Sequence, residues 1–185
     1  MQIVMSASTY AGRVQQAPAA RSHAVIDSPI GPLTLVAEDG KLCGLYMEVR
    51  GHEPGEAALG EPCSVTDEDV LAVTSRQLSA YFDGELTSFD LPLSLDGTGF
   101  QRTVWAGLRD IPYGDTISYG ELARRIGQPS ASRAVGLANG RNPVSIVVPC
   151  HRVVGSDGSL TGYGGGLERK EQLLRLEGAG PTTLW

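Results

Sequence analysis

Cysteine is scarce in this sequence. Its three copies, Cys43, Cys63 and Cys150, are odd in number and widely spaced, which excludes a disulfide framework and points to a reducing, cytoplasmic setting. No apolar run approaches the length of a membrane span, so no membrane partner is expected. The opening "MQIVMSASTYAGRVQQAPAARS" lacks the basic start and long apolar centre of a secretory signal, and residues 1–22 read as a loose tail. Internal repeats and long low-complexity segments are missing too. Positive charge is scarce in one half only. Residues 1–97 carry five basic side chains against fourteen acidic ones, whereas residues 98–177 carry ten against seven. The net charge of −6 therefore hides a basic second half, and the local field rather than the total decides whether a polyanion can bind.

What is present suits one large domain or two small ones: 185 residues with 41% hydrophobic content. "SHAVIDSPIGPLTLVAEDGKLCGLYME" alternates apolar residues around Ser28-Pro29 and Asp39-Gly40, which predicts antiparallel strands near 23–27, 32–38 and 41–48. "GHEPGEAALGEPCS" reads as a loop. "VTDEDVLAVTSRQLSAYFDGEL" has helical spacing at Val70, Val73, Leu78 and Phe82, with Thr66 as its cap. "TSFDLPLSLDG" is extended, and composition changes near Gly97, which marks a boundary between units 23–97 and 98–185.

The second unit is mostly helical. Phe100, Val104 and Leu108 share a face of one helix; Ser118 with Glu121 forms a capping box for a second. "QPSASRAVGLANG" is a third, with Pro129 near its start and Gly140 at its end. The last two, joined by a short turn, suggest a helix-turn-helix. The later helix lacks the long polar side chains that read base edges in a major groove. It offers small residues and one long cation, Arg133, which suits close approach to a narrow minor groove, although small residues equally permit tight helix packing. "NPVSIVVPCHRVVG" is expected to run extended, and "LERKEQLLRLEG" to close the unit as a helix.

A thiol reacts as thiolate, which forms beside a base or a positive charge. Cys150 is followed by His151 and Arg152, and a turn after Pro149 can return the imidazole toward sulfur. Such a histidine needs a third group to fix its tautomer, for which Glu177 is the candidate. Taken singly, Cys150 reads as a buried structural cysteine and His151 as a hydrogen-bonded core residue. The run "PCHRV" together argues otherwise.

That run, preceded by "RAVG" and "NP" and followed by "GYGGG", resembles the O6-alkylguanine-DNA alkyltransferases over about the last eighty residues; the first half matches more loosely. The resemblance implies an N-terminal ribonuclease H-like α/β domain with a short antiparallel sheet and a mainly helical, winged helix-turn-helix-like C-terminal domain. It implies irreversible transfer of an alkyl group from O6 of guanine, and also O4 of thymine, to Cys150 after nucleotide flipping. His151 would act as base through a water and Glu177 would orient it. Tyr119 would protonate the leaving guanine, and Asn142 would brace the active-site turn. Arg133 would fill the gap in the base stack, with Ser132, Ala134, Gly136 and Ala138 along the minor groove of double-stranded DNA. Backbone carbonyls at Cys150 and Val153 would accept from the guanine amino group. Tyr163, Gly164 and Gly165 would wall the pocket, with Ser145 where some members have proline and Gly164 where some have serine. No cofactor is implied, and a monomer is expected, with cooperation on DNA left open. Some members hold zinc in the first domain; here Cys43, Cys63, His23 and His52 lack close ligand spacing, so no metal is expected. Two other classes stay open: a cysteine hydrolase, which needs an oxyanion hole, and a non-enzymatic helix-turn-helix module, which has no use for Cys150.

Overall fold

The computed structural model of the chain describes residues 21–47, 56–63 and 69–179. Most of the expected tail, together with His52 and Thr66, lies outside them.

Three strands follow the apolar alternation closely: β1 (Ser22–Ile26), β2 (Leu33–Glu38) and β3 (Lys41–Met47). Both β1–β2 and β2–β3 pair antiparallel. The stretch read as a loop holds a one-turn helix, α1 (Glu56–Leu59), and a two-residue strand, β4 (Glu61–Pro62). β4 lies parallel to β1, so the sheet is mixed, in the order β3-β2-β1-β4. Two residues with no alternation leave no periodic signal, which is why sequence pattern misses this strand.

Helix α2 (Val70–Phe82) is capped by Asp69, whose carboxylate accepts from the Ala72 amide at 2.8 Å. Asp69, not Thr66, is therefore the cap. Leu78 is buried as expected, but the rest of the buried stripe is Leu71, Ala72, Thr74 and Tyr81 rather than Val70, Val73 and Phe82. Thr74 is at home there because its hydroxyl donates to the Val70 carbonyl at 2.7 Å. Val70, Val73 and Phe82 flank that stripe, half-buried.

An edge strand exposes a row of unpaired amides and carbonyls. The outer edge of β3 is covered instead. Leu42 exchanges backbone bonds with Pro92 and Ser94, and Leu45 with Pro143 and Ser145. The first contact seats the linker between the halves; the second fixes the start of the segment that leads to Cys150.

Helix α3 (Gly99–Arg109) opens with a reciprocal capping box between Thr98 and Gln101. It buries Val104, Trp105 and Leu108. The two-residue strand β5 (Ile117–Ser118) then leads into helix α4 (Tyr119–Arg125). Ser118 caps α4, but the Glu121 carboxylate turns away from the cap to Arg124 and Arg125, so no reciprocal box forms. Helix α5 (Ser132–Gly140) starts later than expected, leaving Pro129 in the preceding turn. A single-turn 3-10 segment, Cys150–Arg152, precedes β6 (Val153–Val154), which pairs parallel with β5. Helix α6 (Leu167–Leu176) ends the described chain, with Glu177 as its C-cap. One contiguous core joins Leu33, Leu42 and Leu45 to Trp105, Val148 and Leu173, so the two halves are packed as one body. Each such side chain contributes about 1.5–3 kcal/mol on burial. No helix among the described residues is long and apolar enough to cross a membrane.

Candidate active site

The run expected to be extended is a compact turn. Asn142 clasps it: its Nδ2 donates to the Val148 carbonyl at 2.7 Å, and its Oδ1 accepts from the Val144 amide at 3.1 Å. Inside the clasp, Ile146 sits at φ 70°. A β-branched residue in that region costs about 1–3 kcal/mol and persists only where the surroundings hold it. Its burial in the core and the Val148 amide bond to the Val144 carbonyl do so. The Cys150 amide then donates to the Val148 carbonyl at 2.8 Å, which turns the cysteine inward until it is 3% exposed.

His151 and Arg152 share the tight turn and both face Glu177. His151 Nε2 lies 2.9 Å from Glu177 Oε1. Because a carboxylate accepts, the proton stands on Nε2, and the lone pair is left at Nδ1, which has no partner among the described residues. Arg152 donates to both Glu177 oxygens, at 2.8 and 2.9 Å, and to the Ile111 carbonyl at 2.6 Å. The Tyr81 hydroxyl donates to Glu177 Oε1 at 2.7 Å from helix α2. Burial alone would raise the Glu177 carboxyl, but the bonds from His151 and Arg152 outweigh it and hold it down to about 2. Burial pushes His151 below the usual imidazole range, against the pull of Glu177, and so keeps it neutral. At Cys150 burial again dominates and pushes the thiol up, against Asn142, Ser145 and the charge of Lys170. The resting group is a thiol with a neutral base nearby.

Cys150 opens onto a cleft of about 270 Å³, shared by Asn139, Ser145, Gly164, Gly165 and β3 residues such as Met47. A Cβ at Gly165 would meet the Met47 sulfur and the Tyr163 ring, so a side chain there would make them shift. Tyr163 is half-buried, and its hydroxyl is buried without a partner among the described residues. Tyr119 does not line this cleft. Its hydroxyl donates to the carbonyls of Thr161 and Gly162, at 3.1 and 3.4 Å. Val153 is buried in β6, and its carbonyl accepts from Lys170 Nζ at 2.6 Å. Lys170 also reaches the Thr161 carbonyl at 2.7 Å, and burial pushes its amine down to about 8.

Helix α5 divides the expected DNA face. Arg133 and Ala134 are exposed, Ser132 is half-buried and Gly136 lies against the Tyr119 ring. Ala138 belongs to the opposite side: it is buried, and its carbonyl accepts from Trp105 Nε1 at 2.9 Å. The exposed row is instead Arg133, Ala134 and Leu137, the last 68% exposed. Helical phase corrects the expectation, because residue 138 falls on the same side as the buried Val135.

Sequence reasoning passed over Tyr81, Asn139 and Lys170 as site residues, and named Arg152 only as a neighbour of Cys150. For Lys170 the signal was present: Lys170, Leu173, Leu174 and Glu177 recur at the spacing of one buried helical face, where two charges call for an explanation. Among the described residues no three His, Cys, Asp or Glu side chains gather as metal ligands would. His23 Nδ1 donates to the Gly60 carbonyl and Cys43 Sγ to the Val36 carbonyl.

A short helix pair beside the two-stranded β5–β6 sheet, packed on an α/β unit, with an inward-facing cysteine next to a histidine–glutamate pair, is the class of arrangement that the fold and site define. Residues 99–179 match the DNA-binding domain of 6-O-methylguanine DNA methyltransferase, and residues 22–95 match its ribonuclease-like domain. The chain belongs to this family of methylated-DNA–protein-cysteine methyltransferases. It is 54% identical over 155 residues to the member from Mycolicibacterium paratuberculosis, spanning 84% of this chain and 91% of that one. It is 52% identical over 159 residues to the member from Methanosarcina acetivorans, spanning 85% and 98%. The crystal structure of Mycobacterium tuberculosis O6-methylguanine methyltransferase superposes with a TM-score of 0.78 at 51% identity, over 89% of this chain and 97% of that one. That of Mycobacterium tuberculosis OGT in complex with DNA gives 0.76 at 52% identity, over 87% and 96%.

Proposed function

We propose that this chain repairs DNA by moving the alkyl group from O6 of guanine, and from O4 of thymine, onto Cys150 Sγ, once per molecule. One observation carries the reading: an inward-facing cysteine beside a histidine whose tautomer Glu177 fixes, leaving the Nδ1 lone pair unpartnered. Double-stranded DNA binds through its minor groove along the exposed row of α5. The target nucleotide is flipped out at a cost of about a few kcal/mol. Arg133 offsets that cost by entering the vacated stack, with Ser132, Ala134 and Gly136 close to the groove.

His151 takes the Cys150 proton at Nδ1 through a water. The thiolate attacks the alkyl carbon in line, the carbon–O6 bond breaks, and its electron pair stays on guanine. Tyr119 turns its hydroxyl from the Thr161 and Gly162 carbonyls to protonate the departing base and is reprotonated from solvent, while His151 gives the thiol proton up to solvent, so one proton is taken and one returned. Asn142 and Ser145 hold the thiol's surroundings, Val153 contributes its backbone, and Tyr163, Gly164 and Gly165 wall the cleft. The sulfur is itself the acceptor, so the transfer needs no cofactor. The chain acts as a monomer of an α/β unit, which begins with β1 at Ser22 rather than at 23 and runs to 97, and a reactive unit from 98, in the cytoplasm, where thiols stay reduced.

The test is intact mass after exposure to duplex DNA carrying O6-methylguanine. One methylene is added per chain, at Cys150, and Cys150→Ser binds the same DNA without gaining mass. Methyl on Cys43 or Cys63, or repeated turnover, overturns the proposal.

A further inference from the structure

The cleft at Cys150 is not built by the reactive unit alone. Strand β3 of the α/β unit forms one of its sides. The edge of that strand is bonded to the turn that leads to the cysteine. The Leu45 amide donates to the Pro143 carbonyl at 2.8 Å, and the Ser145 amide to the Leu45 carbonyl at 3.3 Å. Side chains two apart on a strand share a face. Met47 therefore stands on the same side as the fully buried Leu45, one step further along the cleft, and is itself 7% exposed. The backbone bonds at Leu45 fix where its side chain begins.

Small residues face it. Ser145 is short, and Gly164 and Gly165 have no side chains. Nothing lies within 4 Å of where a Gly164 side chain would begin, whereas the Met47 sulfur occupies the corresponding space at Gly165. Tyr46, the neighbour of Met47 in the cleft, has its ring turned back over Gly44. Met47 thus supplies a long side chain where the opposite wall supplies none. Methionine is unbranched, with three rotatable bonds and a polarizable sulfur, so it fills an irregular gap and repacks when the gap changes.

We infer that Met47 is a specificity-determining residue, through which the α/β unit sets how large an alkyl group Cys150 can accept. It lies against Gly165 while a methyl group is transferred and swings aside for a larger one. This rests on the proposed reaction at Cys150. As the sulfur–carbon bond forms and the carbon–O6 bond breaks, sulfur, carbon and oxygen lie on one line. The other substituents of that carbon spread sideways from the line, toward the walls of the cleft. Three hydrogens need little room there, but the phenyl ring of a benzyl group must find a wall that yields.

The experiment measures single-turnover transfer to Cys150 of the full chain from one duplex carrying either O6-methylguanine or O6-benzylguanine. The quantity read is the ratio of the benzyl to the methyl rate constant on one preparation, which does not depend on how much of it is folded. Met47→Ala removes the movable wall and is expected to raise that ratio about tenfold or more, the discrimination that a few methylenes provide. Met47→Ile keeps nearly the same bulk but is stiff at its branched carbon, and is expected to lower the ratio by a similar factor. Should Met47→Ala not fold, Met47→Ile decides alone. An unchanged ratio, or a shift in the same direction in both variants, would make Met47 ordinary core packing and overturn the inference. Absence of any alkyl group on Cys150 of the unaltered chain would instead sink the proposed reaction.

Discussion

Glu177 is the residue on which the others converge. It receives Tyr81, His151 and Arg152 at 2.7–2.9 Å, and with its charge so well satisfied it stays ionised against its burial. In the proposed reaction its use to Cys150 is indirect, through the proton it keeps on His151 Nε2. Glu177→Gln is therefore expected to slow methyl transfer by about 10²–10⁴-fold, the range of general-base assistance. The pH profile should also move upward, since burial leaves Cys150 a reluctant acid when the base is weakened. Stopped-flow transfer rates across pH would check both, and an unchanged profile would reduce Glu177 to an anchor for Arg152. At this scale the sequence was informative where residues are neighbours: "PCHR" put Cys150, His151 and Arg152 together. It was silent on Tyr81, which reaches Glu177 across 96 positions of chain, and on Asn139, which donates to the Cys150 carbonyl from the buried side of α5.

Among the elements, α5 works on two faces. Val135, Ala138 and Asn139 tie it to the core and to Cys150, while Arg133 and Leu137 stand in solvent one turn apart. Arg133→Ala is expected to slow repair of duplex DNA far more than reaction with free O6-benzylguanine base, which needs no flipping. Rates on the two substrates would tell; equal losses would assign Arg133 to the fold or the chemistry. Helices with clear periodicity were legible, although α2 and α5 begin three to four residues later than their signals suggested. The errors fell where polar residues occupy buried positions, as Thr74 does in α2, and where an element is too short to show a period, as with β4. The turn at 142–150 was read as extended because its apolar run resembles a strand. Its conformation depends on Asn142 and on an isoleucine at positive φ, and neither is written in hydrophobicity.

Across the whole molecule, burial links acid–base chemistry to folding. The Glu177 carboxyl sits at about 2 in the folded chain against an ordinary 4.5, so its stabilisation is full above the ordinary value and fades as pH falls toward 2. His151 acts in the same direction from higher pH: held below 6.5, it favours the folded chain only while the unfolded one is also neutral. Lys170, pushed from 10.5 down to about 8, makes stability rise with pH between those values. Urea melts are thus expected to show a loss of stability from about pH 6.5 downward, steepening below about 4.5. Tyr81→Phe should cost about 1.5–3 kcal/mol at neutral pH and shift the acid limb upward. An acid limb unmoved by Tyr81→Phe would mean that the bond between the halves carries no weight. The inward turn of Cys150 has a further result. Cys150 is 3% exposed, and a methyl group added there crowds the walls of its cleft, a strain expected to cost about 1–3 kcal/mol out of the usual 5–15. The alkylated chain is accordingly expected to melt lower than the fresh one, and a titration of lesions against protein to break at one equivalent. A spent chain is then both chemically exhausted and easier for a protease to open. The capacity of such a protein is a stock that is drawn down and resupplied by synthesis, rather than a rate.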